Sequence, residues 1–205
     1  VSKLEFLNLQ VIKYVNMAHK EQINYVNSVK KKFPEFFNDK KILGIGTFNV
    51  CGTEDSFFDN CDYKGLDIGP GDGVDIVCPA QDYDAPDNTY DVIISCECFE
   101  HNPYYKETIE NAVRMLKPNG LFLFTCATTG RPIHGTKTSD EVDKLKHDNW
   151  ITMPNVFKED WDNEYYKNLT EEDIRESFDI NTNLSSYEFS VENNHHDLFF
   201  WGFKK

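Results

Sequence analysis

Residues 105–125 constrain the fold of this 205-residue chain more tightly than any other stretch. Ile109, Ala112, Val113 and Leu116 recur at helical spacing and share one face of an amphipathic helix. Lys117-Pro-Asn-Gly120 then turns the chain, and Leu121-Phe-Leu-Phe-Thr125 follows as an almost wholly apolar strand. A strand without a polar face is buried on both sides, as in a parallel sheet covered by helices.

The same cadence runs upstream. Lys41-Ile-Leu-Gly-Ile45, Tyr63-Lys-Gly-Leu-Asp67, Val74-Asp-Ile-Val77 and Asp91-Val-Ile-Ile-Ser95 read as four further strands. The predicted fold class is therefore α/β: a Rossmann-like, doubly wound, mostly parallel sheet. Residues 184–191 and 197–203 flank a polar turn at 192–196 and read as a C-terminal antiparallel hairpin, giving seven strands. Thr170-Glu-Glu-Asp173 resembles a capping box opening a short helix through Phe178. Residues 2–33 contain neither Gly nor Pro. Their apolar stripe through Leu4, Leu7, Val11, Val15, Ala18, Ile23, Val26 and Val29 predicts an N-terminal helix, or two in series. Lys30, Lys31 and Lys32 read as its solvated end, and Pro34 stops it.

Composition narrows the partners. The net charge of −14 repels duplex nucleic acid on average, so a nucleic-acid substrate is not expected. No apolar run reaches membrane-spanning length, and residues 1–10 lack the layout of a signal peptide. The six cysteines are scattered, mostly in strand-like surroundings, which suggests buried thiols in a reducing cytoplasm. Cys96, Cys98 and His101 lie close in sequence, but no second cysteine pair follows to complete a structural zinc site. No metal site is expected from them.

The first strand ends in Gly44-Ile-Gly46-Thr-Phe-Asn49. Gly46, without a Cβ, lets a ligand approach backbone closely. Asp67 ends the second strand, where a carboxylate can accept hydrogen bonds from two adjacent ribose hydroxyls. A tight turn beside an exposed acid is the plainer alternative.

At this point the chain resembles the class I S-adenosylmethionine-dependent methyltransferases, in particular their small-molecule branch, type 11. The resemblance runs from about Lys41 to Thr125. Lys41-Ile-Leu-Gly-Ile-Gly46 resembles the first motif, and Tyr63-Lys-Gly-Leu-Asp-Ile68 the second. Asn88-Thr-Tyr-Asp-Val-Ile-Ile-Ser95 resembles the strand-four phrase, and Phe99-Glu-His101 the Glu-His pair beyond it. Met115-Leu-Lys-Pro-Asn-Gly-Leu-Phe-Leu-Phe124 is the most specific match. The resemblance implies S-adenosylmethionine as cofactor, held by Gly44, Gly46, Asn49, Asp67, Ile68, Ala80, Gln81 and Ser95. It also implies one domain over residues 1–205. Residues 1–34 form a helical cap, 40–126 the cofactor-binding core, 127–169 a lid or acceptor loop, and 170–205 a helix and closing hairpin.

Two departures stand out. The family usually has an acid where Gly44 stands, and an Asp contacting adenine where Pro79 stands; Gln81 or Asp82 is the substitute here. For a small-molecule or sugar-like acceptor, His101 and His134 are the candidate bases. Arg131 is the candidate anchor for an acceptor carboxylate or phosphate, and Tyr104 and Tyr105 candidate pocket walls. Capping, solvent exposure and plain packing are the structural alternatives for these residues. The acidic segment 140–179 is expected near the basic N-terminal helix, closing the acceptor pocket. Two rival functions remain. One is a silent methyltransferase-like scaffold with Phe48 filling the cleft. The other is a nucleotide-dependent oxidoreductase, which would want glycine where Asn49 stands.

Overall fold

The computed structural model describes residues 20–49, 54–139 and 164–205. The stripe from Leu4 to Ala18, Cys51, and the acidic stretch around Trp150 and Trp161 lie outside the described residues.

Helix α1 spans Lys20–Lys32, and strands β1 (Lys41–Ile45), β2 (Asp62–Asp67), β3 (Ile76–Val77) and β4 (Tyr90–Cys96) follow. Helix α2 (Tyr105–Met115) leads into β5 (Leu116–Ala127). Helices α3 (Glu171–Ser177) and α4 (Ile180–Asn183) precede the hairpin of β6 (Leu184–Glu192) and β7 (Asp197–Lys204). These strands form one seven-stranded sheet in the order β3-β2-β1-β4-β5-β7-β6. The first five run parallel; β7 runs antiparallel to both β5 and β6.

The central strands are apolar throughout because alternate residues feed two separate cores. Leu43, Ile93, Phe122 and Phe124 pack on the α2 side with Ile109 and Ala112. Ile42, Val92, Ile94, Leu121 and Leu123 pack on the other side with Val26 and Val29 of α1. At its first turn, α1 brings the Glu21 carboxylate to 3.2 Å from the His195 imidazole, in the β6–β7 turn. That turn also receives Arg131, which donates to the His195 carbonyl at 2.8 Å.

Three details differ from the sequence expectation. Pairing of β5 begins at Leu116, opposite Tyr90, and the register then shifts to Val92 opposite Leu121. The Lys117–Gly120 turn is therefore a bulge within the strand, with Asn119 in the left-handed region at φ 60°. Strand β3 is shorter than expected: the Asp75 carboxylate accepts from the Gly65 amide at 2.9 Å, so the chain joins the ladder only at Ile76. The lysine run is engaged rather than simply solvated. Lys30 reaches Asp59 at 2.8 Å, and Lys32 meets Glu188 at 2.9 Å while lying 4.3 Å from the Trp201 ring centroid. The capping box at Thr170 forms with Asp173, as expected. No helix among the described residues is long and apolar enough to cross a membrane.

Candidate functional site

All five parallel strands point their C-terminal ends at one edge, where ligands bind in open α/β sheets. As β1 leaves the sheet, Gly46 adopts φ 78°. A Cβ there would lie 2.4 Å from the Cys98 Sγ, so only glycine fits. The Gly46 amide donates to the Leu66 carbonyl at 2.8 Å, which ties this turn to the end of β2. Asp67 follows, half-buried, and its Oδ2 accepts from the Phe48 amide at 3.0 Å. Burial raises its carboxyl above the ordinary range, and the Phe48 and Gly69 amides oppose that rise.

Other expected donor contacts take varied places. Asn49 joins the following turn, donating from its backbone to the Asp72 carbonyl at 2.9 Å and from Nδ2 to the Asp72 carboxylate at 2.7 Å. The Phe48 ring lies against Gly71, where a Cβ would overlap it. Ile68 is half-buried beside Asp67. Ser95 is fully buried, and its hydroxyl donates to the Ile45 carbonyl at 3.0 Å. Ala80 and Gln81 form a tight turn just past β3, held by Asn111, which donates to the Ala80 carbonyl at 2.8 Å. The Gln81 Oε1 is buried without a hydrogen-bond partner among the described residues.

Gly44 is hemmed in by Tyr63, whose hydroxyl would sit 2.0 Å from an added Cβ. That hydroxyl donates to the Glu54 Oε2 at 3.1 Å. The carboxyl missing at Gly44 thus has a counterpart on a later turn. Burial pushes the Glu54 carboxyl up to about 8, against hydrogen bonds to Cys96 and Tyr63 that hold it down. Glu54 went unnoticed in the sequence; its only signal was an acid shortly after the glycine turn.

The second half of the edge follows β4 and β5. Glu97 takes a left-handed backbone at φ 53° and leads into a tight turn, Phe99–His101. Glu97 Oε1 accepts from the Thr125 hydroxyl at 2.8 Å, and Glu100 Oε1 from the Ala127 amide at 3.1 Å. Burial, then the Asp197 charge, pushes the Glu97 carboxyl up to about 7. Burial, then Glu97, raises Glu100 well above the usual carboxylate range.

His101 and His134 meet edge to face, with ring centroids 5.0 Å apart. Tyr166 completes the group, 5.4 Å from His101 and 5.1 Å from His134. Gly135 (φ 62°) brings loop backbone against His101; a Cβ there would lie 2.7 Å from the imidazole Cε1. Burial, then His134 and Arg131, lowers His101 to about 3, so its ring stays neutral. The metal reading rejected at Cys96, Cys98 and His101 takes a different form here. Glu100, His101 and His134 each offer a ligand atom, and these atoms lie within 4.8 Å of one another.

Arg131 has partners other than the expected acceptor. Its guanidinium donates to the Asp197 Oδ1 at 3.0 Å and the pair is sealed from solvent, at 9% and 0% side-chain exposure. Tyr104 is 47% exposed, whereas Tyr105 is buried in the core on the α2 side.

The methyltransferase domain family matches residues 17–156, and the chain belongs to that family. Class I members of this fold use S-adenosylmethionine as methyl donor, as the sequence resemblance implies. No curated protein matches the chain. Among solved structures, it is similar to Haemonchus contortus phosphoethanolamine N-methyltransferase 2 in complex with S-adenosyl-L-methionine (TM-score 0.58, 16% identity). That match covers 88% of this chain and 52% of the other, so the chain spans about half the length of that enzyme. It is also similar to Burkholderia thailandensis 1,6-didemethyltoxoflavin-N1-methyltransferase, with TM-score 0.57 and 12% identity over 100% of this chain and 91% of that one. The CurJ carbon methyltransferase matches at TM-score 0.54 and 14% identity, over 86% and 52% of the two chains.

Proposed function

We propose that this chain transfers a methyl group from S-adenosylmethionine to a small polar acceptor, such as a sugar-like hydroxyl compound. The observation that carries the reading is Asp67: a half-buried carboxylate at the tip of β2, braced by the Phe48 amide opposite the bare backbone of Gly46. Each carboxylate oxygen keeps a lone pair for a ribose hydroxyl. The orphaned Gln81 Oε1 fits an adenine amine, which would supply the hydrogen-bond donor it lacks. When bound, S-adenosylmethionine supplies a methyl group already activated on a sulfonium.

The chain must then mainly hold and orient the acceptor, which can lower the barrier by roughly 7–11 kcal/mol. The acceptor side in this reading is where His134 and Tyr166, from the described residues after β5, meet His101. His134 is the candidate base there, a role worth about 10²–10⁴-fold, with the neutral ring of His101 packed against it. Arg131 acts through position, fixing the loop that carries His134. The named acceptors of the similar structures, phosphoethanolamine and didemethyltoxoflavin, are small polar molecules, in keeping with this class of substrate. The free thiols of Cys61, Cys96, Cys98 and Cys126 suit a reducing, cytoplasmic setting.

Calorimetric titration with S-adenosylhomocysteine tests the reading. One site per chain is expected, weakened at least about tenfold by Asp67→Ala, the loss of roughly one charge-assisted hydrogen bond. Absence of binding to the unaltered protein, or equal affinity in the variant, would overturn it.

A further inference from the structure

Three carboxyls meet around one guanidinium beyond the end of β4. Glu97 Oε2, Glu100 Oε2 and Asp197 Oδ2 are all closed to solvent. Arg131, paired with Asp197, is sealed in beside them. Full ionisation would leave two negative charges uncompensated in the interior, and a buried group in that position keeps its proton instead. Arg131 holds Asp197 as the ionised member, and the two glutamates stay protonated.

Strand β5 brings the glutamates together. The Thr125 hydroxyl fixes Glu97 Oε1 at 2.8 Å, and the Ala127 amide, two residues on, fixes Glu100 Oε1 at 3.1 Å. The two carboxyls then hydrogen-bond each other, which takes at least one proton. That bond engages Glu100, so the group it forms with His101 and His134 is an acid beside two imidazoles rather than a cation site. Glu97 keeps a left-handed backbone to reach this place, a strain of the kind retained at functional sites.

Charged and titratable groups face the pair from each neighbouring element. His101, on the same turn, is held neutral, and the Cys126 thiol of β5 is buried. Arg131 and His134 come from the loop after β5, and Asp197 from β7. Tyr166 lies on the chain before α3, and the Lys167 amide donates to the Glu100 carbonyl at 2.9 Å while its amine is taken by Asp173 of α3. Glu21, Glu192 and His195 stand behind Asp197. Arg131 is therefore the cation whose field reaches both glutamates.

We propose that the Glu97–Glu100 acid pair is a pH-operated latch, closed while protonated, whose ionisation loosens the loop that carries Arg131 and His134. When Glu97 loses its proton to water, only an O–H bond breaks. The new charge faces Asp197 and competes with it for Arg131, the side chain that ties the loop to β7. Burial and the Asp197 charge hold the Glu97 proton up to about 7, against an ordinary value of 4.5 in the opened state. The closed state binds the proton more tightly, so its advantage is full below pH 4.5 and is lost as pH rises through about 7.

Neither donor nor acceptor enters the test, so its outcome is independent of the methyltransferase reading. Hydrogen exchange is followed at the Ala127, Thr128 and Arg131 amides, which are hydrogen-bonded in the closed loop. Their protection, corrected for intrinsic rate, should fall about tenfold between roughly pH 6 and pH 8.5, as linkage requires of a group at about 7 closed and 4.5 open. Glu97→Gln, which copies the protonated form, should abolish that response, whereas Glu54→Gln should keep it. Equal protection at both pH values, or a response that survives Glu97→Gln, overturns the proposal. Infrared spectroscopy supplies a second measurement that needs no change at Glu97. In the Glu54→Gln protein, the carbonyl band of a protonated carboxyl should fade over the same interval. A protein with no such band overturns the latch as well.

Discussion

The Arg131 guanidinium donates to the Asp197 carboxylate at 3.0 Å, with neither side chain open to water. One partner comes from the loop after β5 and the other from the first residue of β7, so the pair locks the His134 loop to the hairpin. Removing either leaves an uncompensated buried charge, a loss of about 3–5 kcal/mol. Arg131→Met and Asp197→Leu should each be strongly destabilising in urea unfolding. The double variant should recover a large part of that loss. If the single variants match the unaltered protein, the lock is unimportant.

Gly46 allows a sharper test of the first turn. Gly46→Ala meets both the positive φ and the Cys98 sulfur. The backbone contribution alone is about 1–2 kcal/mol. Adding Cys98→Gly, which removes both the Sγ at 2.4 Å and the Cβ at 2.5 Å from the new methyl, relieves the clash but not the backbone strain. Chemical denaturation should therefore rank the double variant between Gly46→Ala and Cys98→Gly.

Glu54 predicts a pH dependence. Its folded carboxyl lies at about 8, above the ordinary glutamate value of 4.5. The folded state holds this proton more tightly, so its contribution is fully present below pH 4.5 and is lost as pH rises toward 8. Glu54→Gln should flatten that part of the profile and raise the melting temperature at pH 8–9 relative to the unaltered protein. A parallel pair of melting curves across this range would contradict the assignment.

Gln81 should separate stability from binding. Gln81→Leu removes a buried carbonyl that lacks a donor, which makes the ligand-free protein equally stable or more so. The same change should weaken S-adenosylhomocysteine by roughly fivefold, the value of one ordinary hydrogen bond. Calorimetry and thermal melts on one preparation report both.

Much of the sheet was legible because double-sided burial leaves an unbroken apolar signature, as in Val92-Ile-Ile94 and Leu121-Phe-Leu123. The start of β5 was not, because the Leu116–Tyr90 pairing spans a bulge that reads locally as a turn. In the site, Gly46 and Asp67 carry local backbone and spacing signals. The meeting of His101 with His134 has no local signal, since it depends on how two loops leave adjacent strands. Arg131 looked available for a substrate because its partner Asp197 lies 66 residues downstream. Glu97 and Glu100 gave no hint of their burial beside one another, which only the folded interior creates.

The position of β7 between β5 and β6 dictates an order of assembly. Strand β6 bonds only to β7, so it cannot join the growing sheet ahead of it. Strand β7 is thus the bridge to the edge strand, and Asp197 can meet Arg131 only where β7 lies along β5. The loop that carries His134 is therefore held by the far end of the chain, and a variant that loosens the hairpin should release that loop while the parallel strands stay paired.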